Sequence, residues 1–378
     1  MRRTRWWLSV STSSLALLAC HYPSSNYEAV KHSASPPFGH AYGRHDQVPR
    51  GKAYGYYKNN PTPQPTEQPR APRAYVANSV SGTVSVIDVA TNEVVATVTV
   101  GNVPTSISIT PNGKYAYVAN NSSHNLTVID TTTNEVVDSV PSTYTPTSVY
   151  TPVSIAFLPN GTRGYVANFA GSNIGVFDLA TKAFSNSISM NNPIDIAMHP
   201  DGSRAYVTNS GTGTISVINT TNDTIADTIP IGRPAAGPRA IAITPDGASV
   251  YATLPGVGPD ALVNVVDTRV NTLIAAILVG DSPQDVAISP DGARAYVIDG
   301  THSSSGLNAS IINTANHSIV GKFSVGHSPS SLAIAPSGDR AYVTNLEQNM
   351  VSVFELSGHT LLATISVGVH PIATAITP

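Results

Sequence analysis

Charge is scarce in this 378-residue chain: only 11% of its residues are Asp, Glu, Lys or Arg, less than half the usual share. The 20 basic and 23 acidic side chains leave a formal net charge of −3. No Lys/Arg cluster occurs beyond residue 73, so the electrostatic footprint of a nucleic-acid binder is missing. A lone cysteine, Cys20, excludes an intrachain disulfide, and stability must come from packing. There is no Gly-x-Ser-x-Gly elbow, no His-Glu-x-x-His pair and no phosphate-cradling loop. The usual signatures of serine hydrolases, zinc proteases and nucleotide hydrolases are therefore lacking.

What the chain has is repetition. A tyrosine opens the same short strand at Tyr75, Tyr117, Tyr165, Tyr206, Tyr251, Tyr296 and Tyr342, followed in turn by VAN, VAN, VAN, VTN, ATL, VID and VTN. The intervals are 42, 48, 41, 45, 45 and 46 residues, the period of one four-stranded propeller blade. Within the fourth repeat, four apolar segments (193–202, 204–213, 214–223 and 224–232) alternate apolar with small or polar residues, which predicts strands. Pro-Asn-Gly at 111–113 and 159–161 and Pro-Asp-Gly at 200–202, 245–247 and 290–292 supply the turns. Proline presets φ, Asn or Asp bonds its own backbone, and glycine tolerates positive φ. Stretches led by Asp88, Asp130 and Asn219 are read as the next hairpin, their carboxyl and amide groups as turn formers.

The first strand of each blade aligns without gaps, beginning at Pro104, Pro152, Pro193, Pro238, Pro283, Pro329 and Pro371. Four residues on stand Ser108, Ala156, Ala197, Ala242, Ala287, Ala333 and Ala375, all small, as expected nearest a crowded axis. Their larger neighbours, among them Ile107, Ile109, Ile155, Phe157, Ile196 and Met198, are expected between blades. The first repeat starts at Arg73 without its inner strand, and a spare copy of that strand lies at 370–378. The expected fold is thus an all-β, seven-bladed propeller of four-stranded blades over 73–378. Its ring is closed by residues 371–377 joining 73–100, since an open ring would expose strand edges.

The tyrosine motif, the following V-S-V-I-D strand, the V-G-x-x-P link and the P-D-G turn together resemble the YVTN-repeat β-propeller family over residues 73–378. The resemblance implies this fold and an extracytoplasmic habit, since members include surface-layer and cell-envelope proteins. Related seven-bladed propellers include lactonases and dehydrogenase subunits. No catalytic motif carries over residue by residue. The repeat departs from the family pattern in an insert at 142–150 and in loops at 254–260 and 296–306.

The N-terminus reads as an address. Residues 1–20 combine a basic start, an apolar stretch too short for a permanent span and Cys20 after Leu17-Leu18-Ala19, the pattern of a lipoprotein signal. Residues 21–72, rich in Pro, Tyr, Ser and His, cannot bury enough surface to fold and are read as a tether. Its histidines (His21, His32, His40, His45) have no spacing that fixes a metal geometry.

Candidate site residues follow from the aligned prolines, whose next residues should rim one mouth of the axial channel. Most are bland; Asp195, Arg239, Gln284 and Asp285 are not, and His327 and His370 stand just upstream on the same links. Two readings result. In the first, the chain is a lipid-anchored binding or scaffold module on the bacterial envelope, outside the cytoplasm, for a protein or glycan. It would be monomeric, without cofactor and without nucleic acid. In the second, a lactonase-like hydrolase uses the polar funnel, with Asp195 and Asp285 on a divalent metal or as acid and base and Arg239 holding an anion.

Overall fold

The computed structural model describes residues 71–142, 151–232, 237–256, 258, 261–300 and 308–378. The signal segment with Cys20, the tether to residue 70 and most of the insert at 142–150 lie outside them, as do parts of the loops at 254–260 and 296–306. The described residues form seven four-stranded antiparallel sheets, each a blade. Numbered by their tyrosines, blades 2 to 7 begin with the inner strands Pro104–Ile109, Pro152–Phe157, Pro193–Met198, Ile241–Ile243, Pro283–Ile288 and Pro329–Ile334. In each, the second strand carries the repeating tyrosine.

Blade 1 closes the ring as the repeat pattern demands. Its inner strand is Pro371–Ile376, paired antiparallel with Arg73–Asn78 so that Tyr75 faces Ala375 and Val76 faces Thr374. Thr377 completes the seam: its N–H donates to the Arg73 carbonyl at 3.0 Å and its Oγ1 accepts the Arg73 N–H at 2.9 Å.

The core lies between blades. Buried apolar side chains fall into seven clusters, each built from two neighbouring blades. A ring of repeats thereby buries surface that no blade could bury alone. Ile107, Ile155, Phe157 and Ile196 are buried there as expected. The small residues have a reason beyond axial crowding: each is the direct cross-strand partner of its blade's tyrosine, as Ser108 is of Tyr117 and Ala197 of Tyr206.

The tyrosines lock blade to blade. Tyr75 Oη donates to Asn134 Oδ1 of the next blade at 2.8 Å, Tyr165 to Asp223 Oδ1 at 2.6 Å and Tyr206 to Asn271 Oδ1 at 3.2 Å. Tyr342 in blade 7 completes the circuit on Asn92 of blade 1 at 3.1 Å. All four acceptors sit at positive φ, between 54° and 59°, in the outer hairpin. One short polar residue thus forms the turn and receives the phenol, which explains why Asn and Asp recur there.

A second recurring pair couples the V-G-x-x-P link to the motif's final Asn. A Cβ on Gly101 would stand 2.7 Å from the Asn120 side chain, and one on Gly368 equally close to Asn78. The buried amide occupies the space that any larger residue would need. Glycine and asparagine therefore recur together.

Candidate functional site

The innermost strand of each blade is a sheet edge, and its outward N–H and C=O groups need partners. Several side chains that rim the axis supply them, each on the next blade. Hydroxyls serve carbonyls: Thr105 Oγ1 donates to Pro152 O at 3.0 Å, Ser108 Oγ to Ile155 O at 2.6 Å and Ser330 Oγ to Pro371 O at 2.8 Å. Carboxylates serve N–H groups: Asp195 Oδ2 accepts from Ile241 N at 2.9 Å, and Asp285 Oδ2 from Leu332 N at 2.8 Å. Their other oxygens are also engaged. Asp195 Oδ1 accepts from Ser154 Oγ at 2.7 Å and Ile196 N at 2.9 Å, and Asp285 Oδ1 from Val286 N at 2.8 Å. The two aspartates are the acceptor version of a staple that Ser and Thr make elsewhere in the ring.

Protein atoms crowd both carboxyl groups, and burial is the first cause of their raised pKa values. That of Asp285 is pushed up to about 6, with the charge of Asp195 adding to the rise. Asp195 is raised likewise by burial, opposed by its hydrogen bonds. Arg239 lies within electrostatic reach of Asp285: burial lowers its pKa and Asp285 opposes that fall. Surrounding blades crowd Arg239, yet the residue keeps solvent-accessible surface. Asp195, Asp285 and Arg239 thus share one electrostatic neighbourhood at the axis, as the aligned prolines implied.

The other three candidates are placed differently. Gln284 folds back on its own link, donating from Nε2 to Ser282 O at 2.9 Å and Ser282 Oγ at 3.0 Å. His327 is exposed, and its backbone N–H meets Gln348 Oε1 at 3.4 Å. His370 takes positive φ (58°) and serves the seam through its backbone, receiving the Ser79 N–H at 2.8 Å. Among the described residues no group of three or more His, Cys, Asp or Glu side chains is placed to hold a metal ion. The donor set at the axis does not fit a divalent cation that wants several free oxygens.

Replacing either aspartate by alanine is accordingly expected to destabilise the ring, by about 1–3 kcal/mol for each N–H left unpaired. Urea unfolding of Asp195→Ala and Asp285→Ala checks this. Unchanged midpoints would return the carboxylates to the pool of groups available to a ligand.

One buried residue escaped the sequence reading. Asp299 takes the place held by Asn78, Asn120, Asn168, Asn209 and Asn345 in five other blades and is 2% exposed. Burial pushes its pKa up to about 6. The signal was there, since VID replaces VTN in a motif otherwise ending in an amide.

Residues 65–162 match the family model described as YNCE-like beta-propeller. No curated protein matches the chain. Solved structures do. The hydrazine synthase of Kuenenia stuttgartiensis is 23% identical, covers 71% of this chain and 88% of its own, and superposes with a TM-score of 0.64. A protein of unknown function from Desulfotomaculum acetoxidans is 16% identical over 80% of this chain and 98% of its own, with a TM-score of 0.69. A Bacteroides fragilis protein provisionally assigned as a 6-phosphogluconolactonase is 18% identical over 84% of this chain and 100% of its own, with a TM-score of 0.67. At such identities the likeness concerns the fold and not the chemistry. Sequence match, strand order and ring closure agree that the chain is a seven-bladed β-propeller.

Proposed function

We propose that this propeller is a non-catalytic binding module, held outside the cytoplasm by lipid on Cys20 and presenting its faces to a protein or glycan of the bacterial envelope. The observation that carries the reading is the use made of Asp195 and Asp285. A hydrolytic acid–base pair needs carboxylates that can reach a substrate or its water. Here both bridge one blade to the next through backbone N–H groups. Low charge, the lipoprotein-type start and the Pro-rich tether support the address. The module is proposed as a monomer that uses no cofactor and binds no nucleic acid.

The test uses the full chain, tagged and added to native envelope fractions. Saturable, stoichiometric retention that is lost on unfolding is the expected result. Absence of retention, together with lactone hydrolysis that disappears in Asp285→Asn, would overturn the reading in favour of the lactonase-like alternative.

A further inference from the structure

The junction between blades 2 and 3 departs on both of its sides from the pattern that most junctions follow. Two residues before the repeating tyrosine stands arginine in five blades, at 73, 163, 204, 294 and 340. Where that arginine is bonded, it reaches the outer hairpin of the next blade. Arg204 Nη1 donates to Thr268 O at 2.6 Å, Arg340 Nη1 to Val89 O at 2.7 Å, and Arg163 Nη1 to Asp223 Oδ2 at 2.9 Å. Blade 5 carries Ser249 there, a small residue, and blade 2 carries Tyr115, an aromatic one.

The receiving side has changed as well. The hairpin position that accepts the phenol elsewhere is Lys182, whose ammonium pairs with Asp138. Among the described residues no hydrogen bond reaches the Tyr117 hydroxyl, although its residue is 1% exposed. Burial pushes this phenol up to about 12, so it remains a hydrogen-bond donor at any physiological pH.

These departures leave a cleft of about 440 Å³ between the two blades, on the face of the Pro-Asn-Gly turns. Its size falls within the range of small-molecule sites. Tyr115, Tyr117, Leu179 and the two turn prolines give it apolar and aromatic walls, and Asn112 and Asn160 line it from the turns. Each amide oxygen is already engaged: Asn112 Oδ1 accepts Thr110 Oγ1 at 2.8 Å and Asn160 Oδ1 accepts Thr162 Oγ1 at 2.7 Å. Neither amide NH₂ is bonded among the described residues. No carboxylate lines the cleft; of the cations near it, Lys114 stands 5.1 Å from the centroid of the Tyr115 ring and Lys182 is paired with Asp138.

An aromatic face beside two amide donors and a phenol suits a ligand with a C–H face and many hydroxyl oxygens. A purely apolar ligand would bury those donors without partners, at a penalty of about 1–3 kcal/mol each. An anionic ligand would find Lys114 over the ring and Lys182 already paired with Asp138. We propose that this inter-blade cleft is a binding site for a neutral saccharide of one or two rings, with Tyr115 as its stacking platform. The site rests on the binding-module reading and narrows the partner to a glycan.

The experiment is saturation-transfer NMR on the full chain with maltose, cellobiose and N,N′-diacetylchitobiose as probes, beside Tyr115→Arg and Tyr115→Ala. Tyr115→Arg installs the residue that the repeat prefers, within reach of the Leu179 carbonyl, so its thermal melt should match or exceed that of the parent chain. Transfer to at least one disaccharide, weakened about tenfold or more in both variants by loss of the ring face, is the expected result. Transfer undiminished in both folded variants would overturn the assignment to this cleft, and no transfer to any probe would overturn the saccharide class. Envelope retention of the parent chain separates these failures from that of the broader reading, which falls only if retention fails too.

Discussion

A chain ending at His370 should melt far below the full-length protein, or fail to fold at growth temperature. Removing residues 371–378 deletes the inner strand of blade 1 and with it the ladder to Arg73–Asn78. The Ser330 bond to Pro371 O goes too, as do Ala373, Ala375 and Ile376 from the clusters on both sides of the blade. The tyrosine strand of blade 1 becomes an open edge, and blades 7 and 2 lose the element that spans them. The loss is of order 5 kcal/mol or more, comparable to the whole stability of an ordinary domain. Calorimetry of the truncated chain measures it. A synthetic peptide of residues 370–378 in excess should restore part of the melt by mass action. A truncated chain melting like the parent would show that this strand does not hold the ring.

Asp299→Asn should stabilise the protein at neutral pH and leave it almost unchanged at pH 4. The carboxyl stands where five blades carry a buried amide. In three of those blades the amide NH₂ serves hydroxyls, as Asn78 serves Thr83 and Ser85 at 3.1 and 3.0 Å, Asn120 serves Thr127 at 2.8 Å and Asn209 serves Ser216 at 2.8 Å. In blade 6 the matching hydroxyl, Ser310 Oγ, and Asp299 Oδ1 both lack a partner among the described residues. Burial raises the carboxyl to about 6, opposed by Lys322 and reinforced by Asp281. The folded state therefore holds this proton more tightly than the unfolded chain does. The penalty is absent below about pH 4, grows as pH rises, and is complete above about pH 6. A two-unit rise, reduced for residual solvent screening, corresponds to about 2 kcal/mol at pH 7.5. Urea unfolding at pH 4 and 7.5 reads the difference directly. A variant less stable at pH 7.5 would mean that the carboxylate is held by attraction to Lys322 rather than tolerated.

The fold was legible because it is written locally and seven times over. Tyrosine, turn proline and glycine, and the spare strand at 370–378 each repeat within a few residues of one another, so one blade's pattern checks the next. The positions of Asp195, Asp285 and Arg239 at the axis could be read from the same alignment. Their role could not, because the N–H that each aspartate serves lies 46 or 47 residues away on the next blade. The small residues were located correctly, but half of their reason was hidden: Ala197 faces Tyr206 across a strand pair that only the register reveals. Tyr115 drew no notice within an ordinary strand sequence. It becomes informative only when set against the arginines of five other blades and the bonds that Arg163, Arg204 and Arg340 make.

Wherever a blade makes these outgoing links, phenol, guanidinium and axial staple alike, they run the same way round the ring. The result is a directed cycle with no first member, in which every unit carries half of the joint it needs and half of the joint its successor needs. Any copy can then follow any other, so such a chain can be lengthened or reshuffled by whole units without inventing new joints. It also follows that one joint can drift while the others hold the circle closed. In an assembly of near-identical parts, novelty is cheapest where two neighbours have stopped agreeing.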